Sequence, residues 1–186
     1  HQPFAPSFDV EGYTENPTRA TGNDCFTAHP SKDDWYETVK LNYGVFYQGS
    51  GEQQFDPIPN TWHKMLHILL FWSNKGVDGF RCDMAEMVPQ AFWAWVIPQV
   101  KAKYPNILFI AEVYNPNLYR EYLAAGFDYL YDKVGMYDYL RGVTSKNWSA
   151  EGITLQWQNV DDIRDHMLYF LENHDEQRIA SGFFCG

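Results

Sequence analysis

A regular alternation of short apolar runs and amphipathic stretches, beginning near Pro59, constrains this chain more than any other feature. Residues 77–83, 107–113, 127–131 and 167–171 have the length and apolar content of strands. The nearly continuous apolar runs at 107–113 and 167–171 are the pattern of strands covered on both faces in a parallel sheet. Helical segments lie between them. Trp62, Met65, Leu66, Leu69 and Trp72 recur at helical spacing, with Pro59 and Asn60 before them and Gly76 beyond the last turn. Residues 89–104 read as a second helix, which Pro98 must kink or divide and which Pro105 and Asn106 end. Asn115 can cap a third helix with Pro116 at its first position and Gly126 closing it. Residues 136–143 and 161–166 read as shorter helices, and 144–152 as a polar loop. The order β-α-β-α-β-α-β requires parallel strands with right-handed crossovers, hence a doubly wound sheet or a (β/α) barrel. A nucleotide-binding sheet would want a glycine-rich turn after its first strand. Neither G-x-G-x-x-G nor G-x-x-x-x-G-K-[ST] occurs, so the barrel is preferred.

Residues 1–57 differ in character from residues 58–186. They are rich in Pro, Gly, Asn and Asp, lack sustained periodicity and read as irregular structure, with a short strand or turn around the aromatic pair at 35–39. Loops of this length usually cover or line a site. The 186 residues fit one globular domain with a smaller appendage, and a 45% apolar share is enough for a substantial core.

Charge and composition narrow the partners. A net charge of −10, with no cluster of Lys or Arg, offers no footprint for a polyphosphate backbone, so no nucleic acid is expected. No apolar run approaches the roughly 20 residues of a membrane span. The start His1-Gln2-Pro3-Phe4 lacks the features of a signal peptide, which leaves the compartment open between cytoplasm and export. The 3 cysteines include no C-x-x-C pair, so neither a disulfide framework nor a thiolate zinc site is suggested, and Cys82 reads as a small buried residue. His63 and His67 stand four apart without a third ligand and read as a solvated face. The 18% aromatic share serves burial, but such rings also stack on the C–H faces of sugars.

Three of the strand-like runs lead into acids: Asp83, Glu112 and Asp175. In parallel α/β folds the ligand sits outside the carboxyl ends of the strands, so separate strands deliver these acids to one mouth. One such acid is commonly only a helix cap. Three, together with Arg81 and His174, point to chemistry. Cleaving a glycosidic bond requires a carboxylic acid to protonate the leaving oxygen and a carboxylate on the other side of the anomeric carbon. Arg81, two residues before Asp83 and on the same side of its strand, can hold Asp83 ionised, which suits a nucleophile. Glu112, leaving an apolar run in a partly desolvated position, is expected to have a raised pKa, which suits a general acid.

Gly79-Phe80-Arg81-Cys82-Asp83, Phe109-Ile110-Ala111-Glu112 and Phe170-Leu171-Glu172-Asn173-His174-Asp175 closely resemble, in order, the second, third and fourth sequence signatures of the α-amylase family of glycoside hydrolases. Val39-Lys40-Leu41-Asn42 resembles the short signature near the end of that family's protruding loop domain. The resemblance implies that residues 1–57 are a remnant of the protruding loop domain. Residues 58–186 would then be about strands four to seven of a (β/α)8 TIM barrel. It implies a retaining mechanism on α-1,4-glucan or malto-oligosaccharide, with Asp83 as nucleophile, Glu112 as acid and base, and Asp175 stabilising the transition state. Arg81 would orient Asp83, while His174, Asn173 and Tyr114 would contact substrate. The same residues would serve hydrolysis or transglycosylation, and an inactive or binding-only fragment is the reading from another class.

Glu86 and Met87 stand where the family often carries Lys and His, the latter lending its carbonyl to calcium. No cofactor is otherwise implied, and Ca2+ enters only as an ion for the complete protein. The family's first signature, ending in Asn-His, has no match here. The isolated 186 residues are therefore expected to be inert, since one wall of the cleft would be lacking.

Overall fold

The computed structural model describes residues 20–27, 31, 33–35 and 38–185. It divides into two compact units, His1–Met65 and Leu66–Gly186.

In the first unit, the described residues before Asn60 form turns and one antiparallel bridge, Val45↔Gln53. The Gly22 N–H donates to Thr38 Oγ1 (2.6 Å) and the Lys40 N–H to the Ala20 carbonyl (2.8 Å), closing the described loop on itself. Lys40 pairs with Asp24 at 2.7 Å and lies over the Tyr47 ring. Of the expected strand or turn at 35–39, Tyr36 and Glu37 lie outside the described residues. Its ends form a turn in which the Thr38 N–H donates to the Trp35 carbonyl. Gly44 has φ +88, and a Cβ there would collide with the Gln54 carbonyl, so only glycine fits. The buried Trp62 donates its indole N–H to the Tyr43 carbonyl (3.0 Å) and packs on Phe55.

The second unit is an α/β layer, entered by a helix that begins in the first unit. The elements in chain order are α1 (Asn60–Asn74), β1 (Gly79–Cys82), α2 (Gln90–Lys103), β2 (Leu108–Ala111), α3 (Tyr119–Ala124), β3 (Tyr129–Tyr131), α4 (Asp138–Ser145), α5 (Gly152–Gln158), β4 (Met167–Leu168) and α6 (Gly182–Cys185). The 4 strands form one sheet in the order β1-β2-β3-β4, and every pair is parallel. A doubly wound sheet reverses its strand order at a switch point. This sheet advances in one direction, as a (β/α) barrel does.

The core lies between the sheet and its helices. Phe92, Val96, Ile97 and Val100 of α2 and Phe109 of β2 are buried with Tyr119 and Tyr122 of α3. Trp93 and Phe127 meet edge to face at 5.0 Å, and Phe127 meets Phe109 at 6.3 Å. Phe109 is 0% exposed. Phe109→Ala should therefore cost about 3–5 kcal/mol of stability. A urea-unfolding midpoint indistinguishable from that of the parent chain would contradict this packing.

Several expectations are corrected. Of the two outcomes open at Pro98, division is excluded, since α2 runs through it as one element. An internal proline costs about 3 kcal/mol, and burying Val96, Ile97 and Val100 offsets it at roughly 1.5–3 kcal/mol each. On α1, Trp62 and Leu69 are buried, but Trp72 stands exposed beside Phe71. The helix expected at 136–143 begins earlier, as a π-turn at Lys133–Tyr137, because the Asp132 carboxylate caps it by accepting the Met136 N–H. Helix α5 was not expected. Its apolar residues Ile153, Leu155 and Trp157 alternate with a period of two, and Leu155 and Trp157 are exposed, so no helical stripe marks it. The last strand is two residues long, not five. Leu130 and Tyr131 pair with Met167 and Leu168, then the chain after β3 turns away at Asp132 and the ladder ends.

Candidate active site

Asp83 and Glu112 each follow directly on a strand. The register Cys82↔Ala111 sets them at one level on neighbouring strands, and the Glu112 N–H donates to the Cys82 carbonyl (3.0 Å). Their environments differ sharply, since the Asp83 side chain is 70% exposed and that of Glu112 only 4%.

One guanidinium joins them. Arg81 pairs with Asp83 through Nη1 and with Glu112 Oε1 through Nη2 at 2.9 Å. Burial works against the Arg81 charge, but the bond to Asp83 and the charges of Glu112 and Asp83 outweigh it and raise its pKa. Glu112 is thus desolvated, as its place after an apolar run suggests, but its partners are polar. Its Oε1 also accepts the Tyr114 hydroxyl (3.2 Å), and its Oε2 accepts the Met84 N–H (2.8 Å). Met84, immediately after Asp83, is left-handed at φ 41 and ψ 48. A non-glycine residue there is costly, and such strain clusters at sites whose geometry the surroundings impose. The Glu112 carboxylate holds this turn together with the Glu112 backbone carbonyl, which accepts the Ala85 N–H (2.9 Å). Glu86 continues the connection, its Oε2 accepting the Asn115 N–H (3.1 Å), so the loops after β1 and β2 are tied together.

The segment after β4 forms a second cluster. Glu172 closes its base, accepting the Ile179 N–H (2.9 Å) and pairing with Arg178. These two partners, the Ile179 N–H first, hold the Glu172 carboxyl below the usual carboxylate range. Asn173 Oδ1 accepts the N–H groups of both Asp175 and Glu176 (2.9 Å each), so this side chain shapes the turn. Asp175 is half-exposed and meets His174 Nε2 at 3.1 Å. Arg81, Asp83, Glu112 and Tyr114 are therefore one bonded group, and Asn173, His174 and Asp175 another. They meet electrostatically at Tyr114, whose phenol pKa is pushed well up by burial, then by Glu112, and further by Asp175 and Glu176.

Four residues at the strand ends escaped sequence reasoning. Asp132 follows β3 as Asp83 follows β1, so position alone marked it. It is 1% exposed and occupied as a cap, accepting the Met136 N–H (3.1 Å) and the Tyr119 hydroxyl (3.4 Å), and burial raises its pKa. Lys133, Tyr137 and Glu176 form the other unforeseen group. Lys133 meets Asp138 at 2.8 Å and Glu176 at 3.0 Å, and the Tyr137 hydroxyl donates to Glu176 (2.9 Å). Nothing in sequence spacing joins residue 133 to residue 176. Among the described residues no group of three or more His, Cys, Asp or Glu side chains is placed to hold a metal ion. Among the described residues, no helix is long and apolar enough to cross a membrane.

A parallel sheet that advances in sequence order, with acids and an arginine at its carboxyl ends, has the arrangement of part of a (β/α) barrel. No protein-family model matches the chain. It is 29% identical over 136 residues to the α-1,4-glucan:maltose-1-phosphate maltosyltransferase of Cereibacter sphaeroides, covering 69% of this chain and 21% of that protein. To the enzyme of the same name in Rhodospirillum rubrum it is 37% identical over 103 residues, covering 48% of this chain and 15% of the relative. Among solved structures, an α-amylase from Lactobacillus plantarum superposes with a TM-score of 0.58 at 28% identity, covering 72% of this chain and 35% of that one. The cyclic α-maltosyl-(1→6)-maltose hydrolase of Arthrobacter globiformis, at 20% identity and a TM-score of 0.59, shares the fold over 95% of this chain and 40% of its own. The likeness to the α-amylase family is thus carried by relatives and by fold as well as by motifs. The chain has an α/β fold with a parallel sheet like part of such barrels and spans 10–21% of the length of the curated relatives it matches.

Proposed function

We propose that this chain carries the catalytic centre of a retaining enzyme that cleaves α-1,4-glucosidic bonds of starch, glycogen or maltodextrin by double displacement. In this reading residues 58–186 are barrel and residues 1–57 belong to the protruding segment. The observation that supports it most is the pairing of an open Asp83 and a buried Glu112 on adjacent strand ends around one Arg81.

The Asp83 carboxylate attacks the anomeric carbon while Glu112 gives its proton to the departing glycosidic oxygen, leaving a glycosyl ester on Asp83. Glu112, now ionised, takes a proton from water or a sugar hydroxyl, whose oxygen attacks the same carbon and frees Asp83. Two inversions restore the α configuration. Arg81 keeps Asp83 charged and in place, and Asp175 with His174 bonds hydroxyls of the sugar being cleaved. Asn173 acts by shaping the turn that presents Asp175, and Tyr114 by bonding Glu112 beside the leaving group.

Transfer rather than hydrolysis is the second reading, favoured by the relatives' name of maltosyltransferase. Incubating the full protein with maltohexaose, and separately with maltose-1-phosphate and glycogen, separates them. Hydrolysis gives shorter sugars with new reducing ends, and transfer gives elongated chains. A protein that binds maltohexaose and changes neither substrate would overturn the enzymatic proposal.

A further inference from the structure

The Lys133–Tyr137–Glu176 group stands next to the proposed machinery without belonging to it. Glu176 is the residue after Asp175, yet its side chain is only 14% exposed while that of Asp175 is 51% exposed. A buried carboxylate needs partners. Glu176 has them on a different strand end, with Oε2 accepting the Tyr137 hydroxyl at 2.9 Å and Oε1 meeting Lys133 Nζ at 3.0 Å. Burial and the Glu176 bond push the Tyr137 phenol up to about 12.

Lys133 is itself fixed. It leads the π-turn that Asp132 caps, it is bound on its other side by Asp138, and its ammonium lies 5.7 Å from the Tyr114 ring centre. Gly135 permits this arrangement, because a Cβ there would collide with the Asp132 carboxylate that caps the turn. The segment after β4 is thus pinned at its base by Glu172, at its turn by Asn173 and against the β3 end by Glu176. The last of these contacts reaches across to another strand end, where Phe170 also packs on Tyr131 (5.6 Å) and stacks on Tyr137 (4.9 Å), so Glu176 is the polar tie beside an aromatic one. Beyond β4 the sheet ladder has stopped at Leu168, so no strand pairing fixes where Asp175 stands.

We propose that Glu176 is a positioning residue. Held by Lys133 and Tyr137, it sets the place of the Asp175 carboxylate relative to Glu112, with Lys133 and Tyr114 forming the bridge between the two clusters. This rests on the catalytic reading above. Misplacement by about 1 Å can cost 10²-fold in rate, so Glu176→Ala should lower kcat on maltohexaose by roughly 10- to 100-fold, while Glu176→Gln, which can still accept the Tyr137 hydroxyl, recovers part of it.

The decisive measurement is a double-mutant cycle in the full protein with Asp175→Asn, following total maltohexaose consumption. If Glu176 acts through Asp175, Glu176→Ala costs at least about 10-fold beside Asp175 and less than about 2-fold beside Asn, because coupled residues are non-additive. Equal losses in both backgrounds, or no loss in either, overturn the positioning role. Should Glu176→Ala fail to fold, Tyr137→Phe removes one hydroxyl from the same contact: its expected loss of about 3-fold beside Asp175 should vanish beside Asn, and equal losses in both backgrounds, or none in either, overturn the positioning role. Failure of the catalytic reading looks different, since Asp175→Asn alone would then leave turnover intact.

Discussion

Asp83→Asn should reduce turnover of maltohexaose by on the order of 10⁴-fold or more while leaving the fold unchanged. An amide is nearly the shape of a carboxylate but cannot form the glycosyl ester, and removing a covalent nucleophile typically costs this much. Stability should hardly move. The Asp83 side chain is 70% exposed, and an ion pair so open to solvent contributes little. Arg81 keeps its second carboxylate at Glu112. A urea midpoint close to that of the parent chain, with activity lost, is the expected pair of results. Residual activity above about one-hundredth of the parent rate would remove Asp83 from the role of nucleophile, because side-chain orientation alone accounts for about 10²-fold.

Glu112→Gln should behave differently. Loss of the proton donor costs about 10²- to 10⁴-fold on a natural glucan, but the loss should shrink for α-maltosyl fluoride, whose leaving group needs no proton. The fold should also feel this change. Glu112 is buried, is ion-paired to Arg81 and accepts from the Tyr114 hydroxyl and the Met84 N–H at once, and the new amide nitrogen turns a donor toward donors. Leaving one such buried group unsatisfied costs about 1–3 kcal/mol. The two acids are therefore distinguishable by stability as well as by rate. Equal losses on maltohexaose and on the fluoride would argue that Glu112 is not the acid.

Where the sequence was readable, the reason is local. Strands β1 and β2 announced themselves through apolar content, and the acids that end them follow within one residue, so chain order alone set them side by side. Asn115 with Pro116 marked a cap that the structure keeps, the Asn115 carbonyl oxygen of the amide accepting the Asn117 N–H. Cys82 is buried, as a small apolar residue in a strand should be. What escaped was non-local. Glu112 draws its polar surroundings from Arg81 on the next strand and from the left-handed turn at Met84, neither of which its own strand reveals. Glu176 finds Lys133 and Tyr137 some forty residues away. Asp132 shows the converse limit, a strand-end acid that position marks and burial assigns to capping.

The central claim is that Asp83 becomes covalently glycosylated. The most direct test uses Glu112→Gln in the full protein with α-maltosyl fluoride, where the ester forms without acid help and its release is slowed by loss of the base. Proteolysis and mass spectrometry of the quenched reaction should find one maltosyl group on the peptide carrying Asp83 and none once Asp83→Asn is added. A maltosyl group on any other residue, or turnover of the fluoride with inversion and no adduct, would contradict the account.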